Sequence, residues 1–148
     1  MSDETKASAT VSDYLRWRGD LTFAQDGFNE VDNLLMAELC FLDFSGIVPA
    51  DFSAPVPLPE AMRAYDRLRP QETMGVLVPE QIPELGRKMA ASRRFSDLTL
   101  CGYVSRIDAE TQTQFSALTL LLPDKTAYIA FRGTDDTIVG WKEDFNLA

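Results

Sequence analysis

Three apolar runs of strand length follow one another between Leu98 and Arg132: L-T-L-C-G-Y-V-S-R-I-D, Q-F-S-A-L-T-L-L-L and T-A-Y-I-A-F-R. The segments between them, A-E-T-Q-T and P-D-K-T, are short and polar, the chemistry of hairpin turns. Residues 98–132 therefore predict an antiparallel meander. The runs Leu118–Leu122 and Ile129–Phe131 scarcely alternate between apolar and polar, so both faces of that sheet are expected to be covered. Residues 28–94 are the natural source of the cover.

Upstream of Phe95 the pattern is helical. In F-N-E-V-D-N-L-L-M-A-E-L-C-F-L-D-F, residues Val31, Leu34, Leu35, Leu39 and Leu42 recur at helical spacing. Asn29 is a good N-cap, and Glu30 and Asp32 stand in the first turn, where the helix dipole favours negative charge. The spacing predicts a helix from about Glu30 to Phe41. Residues 49–59 hold four of the chain's eight prolines and predict an extended connection, because proline removes amide donors and disfavours helix in the residue before it. A second helix is expected over Glu60–Leu68, stopped by Pro70, and a third over Glu80–Arg94, interrupted or restarted at Pro83. Arg93 and Arg94 read as a charge pair at the negative end of that third helix. Near the start, a short helical piece around Tyr14 to Trp17 precedes a Gly19–Asp20 turn, and Trp17 reads as an anchor onto the core. Residues 1–10 are polar and predict a disordered tail, leaving 11–148 as a single domain.

Charge and composition exclude several functions. The net charge of −9 repels nucleic acid and anionic lipid headgroups. No apolar run reaches the length of a membrane span, and the polar start lacks the apolar centre of a signal peptide, so a cytoplasmic location is expected. The chain has no histidine and two cysteines, Cys40 and Cys101, each among apolar neighbours. They make no recognisable metal site and read as buried, reduced thiols, and no metal or cofactor is expected.

The stretch Y-I-A-F-R-G-T-D-D-T-I-V-G-W-K-E-D-F, residues 128–145, reads as a strand, a sharp turn at Gly133 and an acidic loop ending near a tryptophan. Loops at strand ends are where α/β enzymes place chemistry. Thr134 would present both a backbone N–H and a hydroxyl, which suits a donor to the oxyanion of an acyl-transfer reaction. A calcium loop starting at Asp135 fits poorly: the twelfth position, which calls for glutamate, is Asn146. A solvated acidic loop is the simpler reading.

A-F-R-G-T followed by W-K-E-D resembles the signature of class 3 lipases, serine hydrolases of α/β-hydrolase fold. Together with D-Y-L-R-W-R-G-D-L-T-F, F-N-E-V-D-N-L-L and F-S-A-L-T, it also resembles the amino-terminal part of a bacterial, lipase-related family of unassigned function, the Mbeg-like proteins, over about Val11 to Leu147. The resemblance implies the N-terminal portion of an α/β-hydrolase fold, with helices from 30–94 packed on the meander at 98–132 and the sheet incomplete. It implies Thr134 as the oxyanion-hole residue, Asp144 as the carboxylate that orients it, and Trp141 on or beside a lid. The loop between threonine and tryptophan is one residue longer than the lipase pattern, which bears on Asp144 more than on Thr134.

The nucleophile half of that pattern is missing. No serine sits at a G-x-S-x-G elbow, and without histidine no Ser-His-Asp relay can be built. The carboxyl end, E-D-F-N-L-A, has no helix-stop or polar-tail signal, and the expectation is a domain that continues past Ala148. The intact protein would then hydrolyse an ester or lipid substrate, while this chain alone would be inactive. Two other readings stand beside it: a non-catalytic binding or regulatory module, and half of a complemented hydrolase. The fragment reading further expects the strand at Tyr128–Arg132 to be an apolar sheet edge open to pairing.

Overall fold

The structure is a computed structural model that describes residues 11–68, 81–108, 110 and 113–135. In chain order its elements are α1 (Val11–Arg18), α2 (Glu30–Glu38) continuing into a 3-10 turn (Leu39–Phe41), β1 (Val56–Pro57), α3 (Leu58–Leu68), α4 (Gln81–Ala91), β2 (Thr99–Asp108), β3 (Thr113–Leu121) and β4 (Ala127–Asp135). The strands form one sheet in the order β1-β2-β3-β4, every neighbouring pair antiparallel. The meander is thus borne out, and the chain is a mixed helix-and-strand structure with an antiparallel sheet. No described helix is long and apolar enough to cross a membrane.

Local chemistry accounts for the helix boundaries. The Asn29 side chain accepts from the amides of Val31 (2.8 Å) and Asp32 (3.1 Å), and Asp32 accepts in return from the Asn29 amide (3.0 Å). This reciprocal box satisfies orphan donors and sets the start of α2 where the sequence predicts it. Helix α3 begins at Leu58, two residues earlier than expected, and takes Pro59 into its first turn, where the missing amide has no helical partner to lose. Pro83 lies in the first turn of α4 for the same reason and does not interrupt it. At Gly86 of α4 an added Cβ would stand 2.9 Å from the Met62 methyl on α3, so glycine permits this close helix approach.

One face of the sheet carries the core. Leu100 of β2, Leu118 and Leu120 of β3 and Ala130 of β4 pack with Leu39, Met62 and Met89 of the helical layer, all essentially closed to solvent. The second face departs from expectation. Phe115, Ile129 and Phe131 are exposed there, the last two by 54% and 65%, and the rings of Phe115 and Phe131 lie 6.1 Å apart. The described helices cover one face only. The near-continuous apolar run in β4 therefore marks a strand with Tyr128 and Ala130 turned to the core and Ile129 and Phe131 to the open side.

Two readings near the termini of the helical half are corrected. Trp17 is 61% exposed and does not anchor the N-terminal segment. That role falls to Leu15, in the core, and to Tyr14, whose hydroxyl donates to Asp32 (2.9 Å) and accepts from Asn29 (2.9 Å). Helix α4 stops at Ala91, and Arg94 is no surface charge at its end: it is 1% exposed and pairs with Asp32, itself fully buried. Arg94 Nε donates to Asp32 Oδ1 (2.9 Å) and Nη2 to Oδ2 (2.6 Å), a bidentate fork. The remaining donors reach the carbonyls of Leu21 (3.0 Å), Asp26 (2.8 Å) and Gly27 (3.0 Å), and the Phe23 ring stacks on the guanidinium at 4.3 Å.

Removing one partner of such a pair strands the other in the interior. Arg94→Met is expected to lower the unfolding free energy by about 3–5 kcal/mol, the usual cost of an orphaned buried charge. Urea denaturation checks it, and a loss comparable to that of a surface arginine would show that the pair is not buried in solution.

Candidate functional site

Strand β2 does not run straight. The β2–β3 register shifts between Cys101 and Val104, and Gly102 adopts a positive φ of 61°. At this bulge the amides of Gly102 and Tyr103 turn out of the ladder and donate to the carbonyls of Asp51 (3.1 Å) and Pro49 (3.0 Å). A Cβ on Gly102 would stand 2.6 Å from the Phe52 ring, so both conformation and space call for glycine. The extra residue reverses which side chains face inward. Before the bulge Leu100 points to the core; after it Tyr103 does, with Ser105 following on the same face.

That reversal builds a polar row across the end of the sheet. Ser105 of β2 is opposite Ser116 of β3, and Ser116 is opposite Arg132 of β4. The two serine hydroxyls are 3.3 Å apart. Ser105 is open, whereas Ser116 and Arg132 are buried, at 1% and 4% exposure. Arg132 Nη2 donates to Gln114 Oε1 at 3.2 Å, its guanidinium lies 5.1 Å over the Phe41 ring, and its Nε has no hydrogen-bond partner. Tyr103 and Ser105 also line an open cleft of about 400 Å³ whose other wall is the loop Ser45–Ala50.

Burial sets the ionisation of the acidic groups nearby. The Cys40 thiol, beneath β4 with Sγ 3.6 Å from the Ala130 carbonyl, is pushed up to about 12 by burial, with Arg132 opposing only in part. Burial likewise raises the Tyr103 phenol, against the lowering effect of hydrogen bonds with Ser105 and Ser116. Desolvation lowers Arg132 from its ordinary value. Both cysteines are buried and unpaired, as their apolar neighbours predicted.

The residues singled out by the lipase resemblance fare differently. Gly133 makes no turn: it lies within β4 opposite Phe115, is not among the positive-φ glycines, and the strand continues through Asp135. The acidic loop therefore does not begin at Asp135. Thr134 is a strand position opposite Gln114. Trp141 and Asp144, with Asp136 and Gly140 of the rejected calcium loop, lie outside the described residues. Sequence reasoning missed Arg132, Ser105 and Ser116. A signal for Arg132 was present, since its even spacing from Tyr128 and Ala130 puts a cation on the core side. The two serines depend on the bulge and on strand register, which carry no comparable mark. Among the described residues no three potential metal ligands cluster.

Residues 89–148 match the model of the Mbeg1-like family. No curated protein matches the chain, and no solved structure does.

Linkage follows from the raised thiol. Below its ordinary value of 9.0 the Cys40 thiol is protonated in both folded and unfolded chains, so its contribution to stability is whole. Between that value and about 12 only the unfolded chain ionises, and the contribution is lost. Unfolding free energy is therefore expected to fall as pH rises above 9.0, and Cys40→Ala to flatten that slope. Denaturant melts across this range measure it, with thiol labelling at pH 8 expected only after unfolding.

Proposed function

Starting from the Mbeg1-like match over residues 89–148, we propose that this chain carries the oxyanion-side segment of a lipase-like serine hydrolase of α/β-hydrolase fold, and that the nucleophile side is not among its 148 residues. The observation that carries the reading is the A-F-R-G-T run at the end of β4. In this reading Thr134 donates to the oxyanion that forms when a serine attacks an ester carbonyl, Asp144 orients the threonine hydroxyl, and Trp141 flanks the substrate. An edge strand turns alternate amides away from its neighbour, so a strand position does not by itself prevent Thr134 from donating. Such a donor accelerates the reaction only where it meets the oxyanion better than the ground-state carbonyl.

The missing histidine decides what the chain does by itself. A serine hydroxyl is a weak nucleophile until a base takes its proton, and no imidazole is present to do so. Incubation with a fluorophosphonate is expected to leave the chain unlabelled, whereas stoichiometric labelling that an ester substrate blocks would show that it holds its own activated serine. In a protein that joins this segment to a nucleophile, Thr134→Ala is expected to lower kcat by about 10²–10³, or roughly 2.7–4 kcal/mol, with KM little changed. An unaltered kcat would remove Thr134 from the oxyanion site.

A further inference from the structure

The open face of the sheet carries a projection and a gap side by side. On β4, Phe131 is 65% exposed, and Gly133, the next residue on that face by the two-residue period, is exposed too. A Cβ built on Gly133 would meet nothing within 4 Å, so the space over it is open. Glycine weakens a strand interior, and here neither a positive φ nor a shift in the β3–β4 register calls for it. What remains for such a glycine is to let another surface approach the strand closely.

Around this pair the face is apolar and sparsely charged. Phe115 stands opposite Gly133, Ala117 opposite Phe131, and Ile129 continues the row along β4. On β2, Val104 lies opposite Ala117 and Arg106 opposite Phe115, and that arginine is the one charge among the described residues of these rows. Phe115, Ile129 and Phe131, at 41%, 54% and 65% exposure, leave about 300 Å² open, taking roughly 200 Å² for each whole side chain. Two such faces in contact therefore cover about 600 Å² through these side chains, and Val104, Ala117 and Arg106 carry the total towards the roughly 1,000 Å² of a weak specific interface. A chain at −9 repels its own copies, least of all where its surface holds least charge. A charged partner would find a single guanidinium to recognise there, whereas a second copy brings the matching projection and gap.

We infer that two copies of this chain pack face to face through this side of β3 and β4, about a two-fold axis that crosses β4 at Arg132, so that Phe131 of each copy lies over Gly133 of the other. A two-fold contact makes that pairing reciprocal. Stacked sheets stand about 10 Å apart, and a phenyl ring from one sheet fits that spacing best over a residue that adds no side chain of its own. The dimer is weak and reversible. It does not rest on the hydrolase reading, because it follows from the shape and charge of the open face alone.

The test is sedimentation velocity of the whole chain across the micromolar range, at low and at high sodium chloride. A monomer–dimer equilibrium is expected, tighter at high salt because screening weakens the repulsion between two acidic chains. Phe131→Thr keeps a β-branched residue at an exposed strand position and is expected to weaken the dimer about tenfold or more. Gly133→Val separates the interface from the fold. It fills open space and removes a strand glycine, so the melting temperature of the diluted monomer is expected to hold or rise while the dimer weakens by a similar factor. A chain that sediments as a monomer throughout overturns the proposal and leaves this face to its own residues 136–148 or to a different protein. A dimer indifferent to both substitutions places the interface elsewhere, and growth to larger species with no dimer overturns the two-fold arrangement.

Discussion

The Asp32–Arg94 pair ties the helical half of the molecule to the start of the sheet. Asp32 belongs to the first turn of α2, and Arg94 to the segment between α4 and β2. The loop after α1 closes around the guanidinium through its carbonyls, with Phe23 stacked on it and in edge contact with Phe95. Tyr14 brings α1 onto the same carboxylate. Such pairs are often no more stabilising than a well-packed apolar substitute, because desolvation offsets the attraction. What this one contributes is geometry: four separate segments are positioned by one bidentate contact.

From that junction the chain enters β2, and the bulge at Gly102 controls what the sheet presents. Without the extra residue, Tyr103 and Ser105 would lie on the face opposite the core, beside Phe115 and Phe131. With it, they share a face with Ser116 and Arg132, and Tyr103 and Ser105 meet the Ser45–Ala50 loop, where the carbonyls of Pro49 and the adjoining Asp51 accept the amides that the bulge releases. The polar site and the loop that walls it are thus two consequences of one glycine with positive φ. The same sheet is apolar on its other side, where Ile129 and Phe131 project from a strand paired only with β3 among the described residues. Exposed apolar surface of this kind marks an interaction or aggregation surface.

Legibility differed by range. Asn29 capping α2 was readable because both halves of the box are local, three residues apart. The hairpins were readable because turn chemistry is local too. Arg94 was misread as a helix-end charge because its partner is 62 residues away, and nothing near Arg94 announces an aspartate capping a different helix. Trp17 misled for the converse reason: a large aromatic beside a turn suggests burial, but the helix that carries it turns Leu15 inward instead. Gly133 reads as a turn residue in F-R-G-T-D-D, yet ladder pairing with Phe115 kept it extended.

The sequence by itself determined the start of α2, the antiparallel meander, the buried state of Cys40 and Cys101, and the absence of any imidazole for base catalysis. All of these follow from spacing and residue chemistry within a turn or a strand. Tertiary structure alone decided that Asp32 and Arg94 meet, that Ser105, Ser116 and Arg132 form one row, and that one guanidinium is neutralised while the other stands without a carboxylate among the described residues. Those outcomes depend on strand register and on which distant segment reaches a charge. A chain of local preferences does not encode them one residue at a time, because the free energy of a buried charge is settled only by whatever the finished fold places beside it.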